Sequence, residues 1–152
     1  AIATFANEQL APGAAERDKS REYPKQLIDE MASLGLMGVK VPEEEGGAGA
    51  DNVTYVLLLE AVARADASCA VVMAGSNLVS SILADAGSPE QKERFLRPLA
   101  EGERGAATFC LTEPHTGSDA RALRTTATRT DGRFRLAIDS SLPPDPNVER
   151  ID

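Results

Sequence analysis

The stretch 109-FCLTEPHTGSD-119 gathers many of the side chains in this sequence that could do chemistry on a bound molecule. Thr112, Thr116 and Ser118 bring hydroxyls, Glu113 and Asp119 carboxylates, and His115 the single imidazole of the chain. Pro114 and Gly117 break the alanine and leucine pattern that precedes them, so the segment is shaped for backbone exposure rather than packing. A strand ending at Thr112, followed by Glu113-Pro114 and Gly117-Ser118-Asp119, would present backbone N–H groups and two hydroxyls along an open edge. Donors without bulk are what hold a planar polar heterocycle and a pyrophosphate. The same residue types also make ordinary turns, and the loop alone does not separate the two readings. His115 invites a catalytic role, but on an exposed loop it reads as a variable contact.

Two further candidates carry less. The segment 41-VPEEEGGAGA-50 is rich in glycine, yet no strand precedes it, no Lys-Ser or Lys-Thr follows, and three glutamates would repel an anion. It reads as a connection needing positive φ. Cys69 and Cys110 lack the paired spacing of a zinc site and stand in apolar surroundings, as the buried thiols of a reducing compartment do, so no metal centre is expected.

The elements that must position the loop are mostly helical. Ile2, Phe5, Ala6 and Leu10 have helical spacing, and Pro12-Gly13 breaks or restarts the helix before the polar 16-ERDKSRE-22. Pro24 opens a second helix with a stripe of Leu27, Ile28, Met31 and Leu34, which Gly35 stops. Asp51 or Asn52 caps a helix through Ala65, and another runs from about Ala67 to Ala86. Both are apolar nearly all round and need cover on several sides, from a further domain or an oligomer partner. The tetrad 88-SPEQ-91 is a capping box with proline at the first helical position, and Phe95, Leu96 and Leu99 are expected to face inward before Gly102.

From Gly105 the pattern turns to β. A strand is expected at 106-AATFCLT-112 and a second at 124-RTTATRT-130, and Asp131-Gly132 reads as a type I′ turn. Phe134, Leu136 and Ile138 alternate with Arg133, Arg135 and Ala137, which predicts one buried face on the return strand. The prolines of 139-DSSLPPDPNVERID-152 exclude a continuing sheet. The fold class is therefore mainly α with a short antiparallel β part: a helical domain over 1–104, the start of a β domain over 105–138, and a tail over 139–152.

A formal net charge of −8, from 16 basic and 24 acidic residues, argues against a nucleic-acid surface. The local cluster Arg121, Arg124, Arg129, Arg133 and Arg135 reads as a solvated strand face rather than a polyanion site, with a phosphate-bearing ligand nearby as the open alternative. The apolar run 69-CAVVMAG-75 is too short to cross a bilayer and no signal peptide is visible at the start, so a cytoplasmic protein without a membrane span is expected.

Taken in order, 23-YPKQLIDEMASLGLMGVKVPEEEGGAGA-50, 58-LLEAVARADAS-68, 90-EQKERFLRPLAEGE-103 and 107-ATFCLTEPHTGSDARALRTTA-127 closely resemble the acyl-CoA dehydrogenase family over about residues 2 to 136. The TEPxxGSD segment is the specific part. The resemblance implies FAD and an acyl-CoA thioester held between an N-terminal helical domain and a middle β domain. It implies that Phe109, Cys110, Leu111, Thr112, Gly117 and Ser118 contact the cofactor, with the Leu111 backbone and Thr112 hydroxyl at the polar edge of the ring. Ser118 would lie by the diphosphate and also by the CoA substrate, while Glu113 and Asp119 would shape the loop.

The implied reaction is α,β-dehydrogenation of the thioester, with electrons leaving through an electron-transfer flavoprotein from a homo- or hetero-oligomer. Its base, a carboxylate in an apolar pocket, would come from a C-terminal domain absent from these residues, so no catalytic residue is assigned. After Leu136 relatives run through a Gly-x-Lys turn into a Trp-Ile-Thr or Trp-Ile-Ser strand, which 137-AIDSSL-142 replaces. The alternative expectation is a catalytically silent, truncated paralogue serving as an interaction or acyl-CoA-binding module.

Overall fold

Three short polar side chains set the starts of the principal helices. Asp51 Oδ1 accepts the Thr54 N–H at 2.8 Å and opens α4, Asn52–Ala65; Asp66 Oδ1 accepts the Cys69 N–H at 3.1 Å and opens α5, Ala67–Ala86. Ser88 and Gln91 exchange side-chain and backbone bonds at 2.9 and 3.3 Å, the reciprocal cap that opens α6, Pro89–Gln91. These positions come from a computed structural model, which describes residues 1–137.

The chain divides into two compact units, Ala1–Phe109 and Cys110–Asp152. In the first, α1, Ile2–Phe5, runs on as a π-helical turn over Ala6–Leu10 and is followed by α2, Ala14–Ser20, and α3, Lys25–Ser33. Beyond α6 a second π-helical turn, Lys92–Leu96, leads into α7, Arg97–Ala100. Pro98 has no N–H to offer the turn before it, and the widened turn stands just ahead of that missing donor. Leu10, Ile28, Met31, Met37, Val62 and Met73 form the main core, and Val41, Leu96 and Ala100 a smaller one.

The connection from α3 to α4 is fastened by polar groups on α5. The buried Asn77 amide donates to the carbonyls of Leu36 and Met73 at 2.7 and 2.9 Å and accepts the Val39 N–H at 2.9 Å. Ser80 donates to the Met37 carbonyl at 2.9 Å. In the glycine-rich segment Glu43–Glu45 forms one 3₁₀ turn, Gly46 takes φ 90°, and a β-carbon on Gly47 would lie 2.1 Å from the Val41 oxygen. Helix α5 is long and apolar enough to cross a membrane by length and composition. Its buried Ser76, Asn77 and Ser80 instead bond other parts of the first unit, as in the core helix of a bundle.

In the second unit β1, Thr126–Thr130, pairs antiparallel with β2, Arg133–Ala137, in the register Thr128 to Arg135 and Arg129 to Phe134. Asp131 and Gly132 take φ 51° and 78°, the left-handed pair of a tight hairpin turn.

Several expectations are corrected. Residues 106–112 form no strand, because no chain among the described residues lies alongside to share the ladder. Phe134 and Leu136 are 69% and 62% exposed, since a two-stranded hairpin has no second layer to bury either face. Phe95 and Leu34 are exposed rather than inward, and Cys110 is exposed while Cys69 is buried. Helices α4 and α5 leave Val53, Val56, Leu57, Val71, Leu78 and Ile82 on the surface, in keeping with their all-round apolar pattern. Ile138 and the tail 139–152 lie outside the described residues.

Candidate functional site

Glu113 organises the loop that the sequence marks for ligand contact. Its side chain turns inward and is buried; Oε1 accepts the Thr125 hydroxyl at 2.5 Å and the Thr125 N–H at 2.8 Å, and Oε2 accepts the Arg124 N–H at 2.8 Å. These bonds join the start of the loop to the residues that lead into β1, across eleven and twelve positions of sequence. The Thr125 hydroxyl foremost, and the Arg124 N–H after it, hold the Glu113 carboxyl below the usual carboxylate range.

Smaller bonds close the turn. Glu113 and Thr116 exchange backbone bonds at 2.9 and 3.1 Å, forming an isolated bridge, and the Thr116 hydroxyl donates to the Asp119 carbonyl at 2.8 Å. Asp119 Oδ1 accepts the Arg121 N–H at 3.1 Å and caps the 3₁₀ turn Ala120–Ala122. His115 Nε2 donates to the Ala122 carbonyl at 3.0 Å and stands 3.4 Å from Glu113 Oε2, so the imidazole belongs to the loop's own bonding.

Thr112 and Ser118 differ from these neighbours. Both are exposed, and no hydrogen bond among the described residues uses either hydroxyl. Gly117 packs beside Thr112: a β-carbon on it would lie 3.7 Å from Thr112 Cγ2. Leu111 is half-buried and Cys110 exposed.

Phe109 belongs to the first unit, where it lines an open groove of about 370 Å³. Val79, Ile82, Leu83, Phe95 and Leu99 supply most of its apolar wall and Arg104 a charge. This groove accounts for the exposure of Phe95, which faces it rather than the core. Among the described residues no group of three or more His, Cys, Asp or Glu is arranged to hold a metal.

The buried polar residues Ser76, Asn77 and Ser80 were not singled out by sequence reasoning. Their signal was available: three polar side chains within five positions of a largely apolar helix, with Ser76 and Ser80 one turn apart.

A helical bundle followed by a TEPxxGSD loop and a hairpin defines a class, and comparison with known proteins names it. Residues 1–103 match the family described as "Acyl-CoA dehydrogenase, N-terminal domain". The chain belongs to the acyl-CoA dehydrogenase family. It is 43% identical over 133 residues to the 3-(aryl)acrylate reductase of Clostridium sporogenes, an alignment covering 87% of this chain and 35% of that protein. It is 42% identical over 136 residues to an acyl-CoA dehydrogenase of Bacillus subtilis, covering 89% and 36%. Among solved structures it superposes on butyryl-CoA dehydrogenase from Megasphaera elsdenii with a TM-score of 0.79 and 39% identity, covering 89% of this chain and 37% of that one. The chain thus spans about a third of the length of the curated relatives it matches.

Proposed function

We propose that these residues form the flavin-contacting part of an FAD-dependent enzyme that dehydrogenates an acyl-CoA thioester between its α and β carbons. The observation that carries the reading is the division of labour in the loop. Glu113, Thr116 and Asp119 spend their polar groups on the loop itself, while the hydroxyls of Thr112 and Ser118 remain exposed and unspent. That fits an edge that offers small donors to a large polar ligand, with Gly117 keeping a side chain out of the way.

In this reading Phe109, Cys110, Leu111, Thr112, Gly117 and Ser118 contact the cofactor, and Ser118 also meets the CoA thioester. The Thr112 hydroxyl orients the polar edge of the ring, and Ser118 binds near the diphosphate. Bound FAD supplies the hydride acceptor. Glu113 is not the proton-abstracting base: its carboxylate is turned inward, committed to three hydrogen bonds and held in the weakly basic range. The base belongs to residues outside the stretch matched here. An acyl-CoA substrate, an electron-transfer flavoprotein, an oligomeric assembly and a cytoplasmic location complete the proposal.

The test is the visible absorption spectrum of the purified chain, with flavin released by denaturation and counted against protein. Near-stoichiometric FAD is the expected result; no flavin after incubation with excess FAD overturns it for this chain. The apolar groove beside Phe109 favours a second reading, a catalytically silent acyl-CoA-binding module. Thermal stabilisation by acyl-CoA but not by FAD selects that one, since only a ligand that prefers the native state raises stability.

A further inference from the structure

Ser76, on α5, is fully buried, and its hydroxyl is spent on a single distant backbone residue. Its Oγ accepts the Ala107 N–H at 3.1 Å and donates to the Ala107 carbonyl at 3.4 Å. One side chain therefore satisfies both backbone polar groups of Ala107. Residues 106–109 have no strand beside them among the described residues, so this tether takes the place of a ladder. Ala106 and Ala107 pack on the main core, and Thr108 and Phe109 follow directly along the groove wall.

We propose that Ser76 is a positioning residue: by fixing Ala107 it sets Phe109, two residues further on, against the flavin. The proposal rests on the flavin-binding reading above. Its physical content is that a part-buried N–H and carbonyl lose their partners together when the hydroxyl is removed, so the segment opens locally before the helices do. Ser80 is the natural control. It is equally buried on the same helix, but its hydroxyl holds Met37 and has no bond to Ala107.

The experiment compares Ser76→Ala, Ser76→Cys and Ser80→Ala in the 152-residue chain, each checked for folding by circular dichroism. Amide exchange of Ala107 to Phe109 and flavin affinity by fluorescence titration are read on all of them. Ser76→Ala is expected to speed exchange at Ala107 about tenfold or more and to weaken flavin binding about tenfold, with altered bands of the bound flavin. Ser76→Cys, nearly isosteric with a weaker hydrogen-bonding group, falls between and carries the comparison if the alanine variant does not fold. Ser80→Ala keeps the exchange rates and flavin affinity of the parent.

Unchanged exchange at Ala107 in Ser76→Ala overturns the tether. Faster exchange with unchanged flavin affinity and spectrum overturns the positioning role while leaving the flavin reading intact. A parent chain that takes up no flavin overturns that reading and the role of Phe109 with it, and the exchange data still decide whether Ser76 holds Ala107.

Discussion

The Thr125 hydroxyl donates to Glu113 Oε1 at 2.5 Å, and the same oxygen accepts the Thr125 N–H at 2.8 Å. One carboxylate oxygen thereby secures the residue just ahead of β1, and Oε2 secures Arg124 beside it. The loop between them is closed by charge-assisted bonds. Within it the Thr116 hydroxyl donates to the Asp119 carbonyl, while the Ser118 hydroxyl makes no hydrogen bond among the described residues.

A pH dependence follows from that carboxylate. A group whose folded pKa is depressed contributes its stability in full above its unfolded value, and the contribution fades as pH falls through the folded pKa. Exchange protection of the Arg124 and Thr125 amides is expected to hold from neutral pH to about pH 4 and to be lost below it. Glu113→Gln should lower the protection at neutral pH and remove this pH dependence. Equal profiles for the two proteins would refute the role given to the charge.

Arg17 and Asp66 join α2 to the junction of α4 and α5. Nη2 and Nε of Arg17 reach Asp66 Oδ2 at 2.8 and 3.0 Å, Arg17 also donates to the Leu10 and Pro12 carbonyls, and Asp66 caps α5. Burial pushes the Asp66 carboxyl up, but the Arg17 hydrogen bond, the Cys69 N–H and the Arg17 charge outweigh it, and the net shift is downward. Asp66→Ala should cost about 2–4 kcal/mol, from the lost cap and a guanidinium left without its partner. The pair's contribution is complete above about pH 4 and is lost as pH falls through the depressed value. Urea denaturation at pH 7 and pH 3 measures both, and the deficit of the variant should shrink at the lower pH.

The two thiols should react in separate phases. Burial foremost, with the Asp66 charge adding to it, pushes the Cys69 thiol up to about 11, whereas Cys110 is exposed. With a chromogenic disulfide reagent at pH 8, one thiol per chain is expected to react promptly and the second only on unfolding. Cys110→Ser should abolish the prompt phase. A prompt phase that survives this substitution would contradict the burial of Cys69.

Leu57 and Val71 are 59% and 72% exposed, apolar side chains with little to hold them in this chain. Leu57→Lys and Val71→Lys should each change unfolding free energy by no more than about 0.5 kcal/mol. If these faces are covered by other copies or other segments, the same substitutions lower self-association. Sedimentation velocity at several concentrations reads that, and an unchanged distribution would mean that neither residue lies in a contact.

Local chemistry was legible wherever a few neighbouring residues decide the outcome. The Ser88 and Gln91 cap, the Asp51 start, the stop at Gly35 and the Asp131-Gly132 turn each depend on contacts within a few positions, and each stands as the pattern implied. The loop 109–119 could be marked as exposed for the same reason. Its internal bonding could not be read, because Glu113 finds its partners eleven and twelve residues away.

The sequence by itself determined the longer helices, the Asp51 and Ser88 caps, the hairpin turn and the family, since periodicity, capping and a distinctive motif are properties of adjacent residues. Only the tertiary structure decided which apolar faces are covered and which polar side chains are satisfied. Phe95, Phe134 and Leu136 carry the residue type of a core without a neighbouring layer, while Ser76 and Asn77 carry the type of a surface and lie fully within one. Burial and hydrogen bonding are relations between distant segments, and a strand such as 106–112 exists only where a partner shares its ladder.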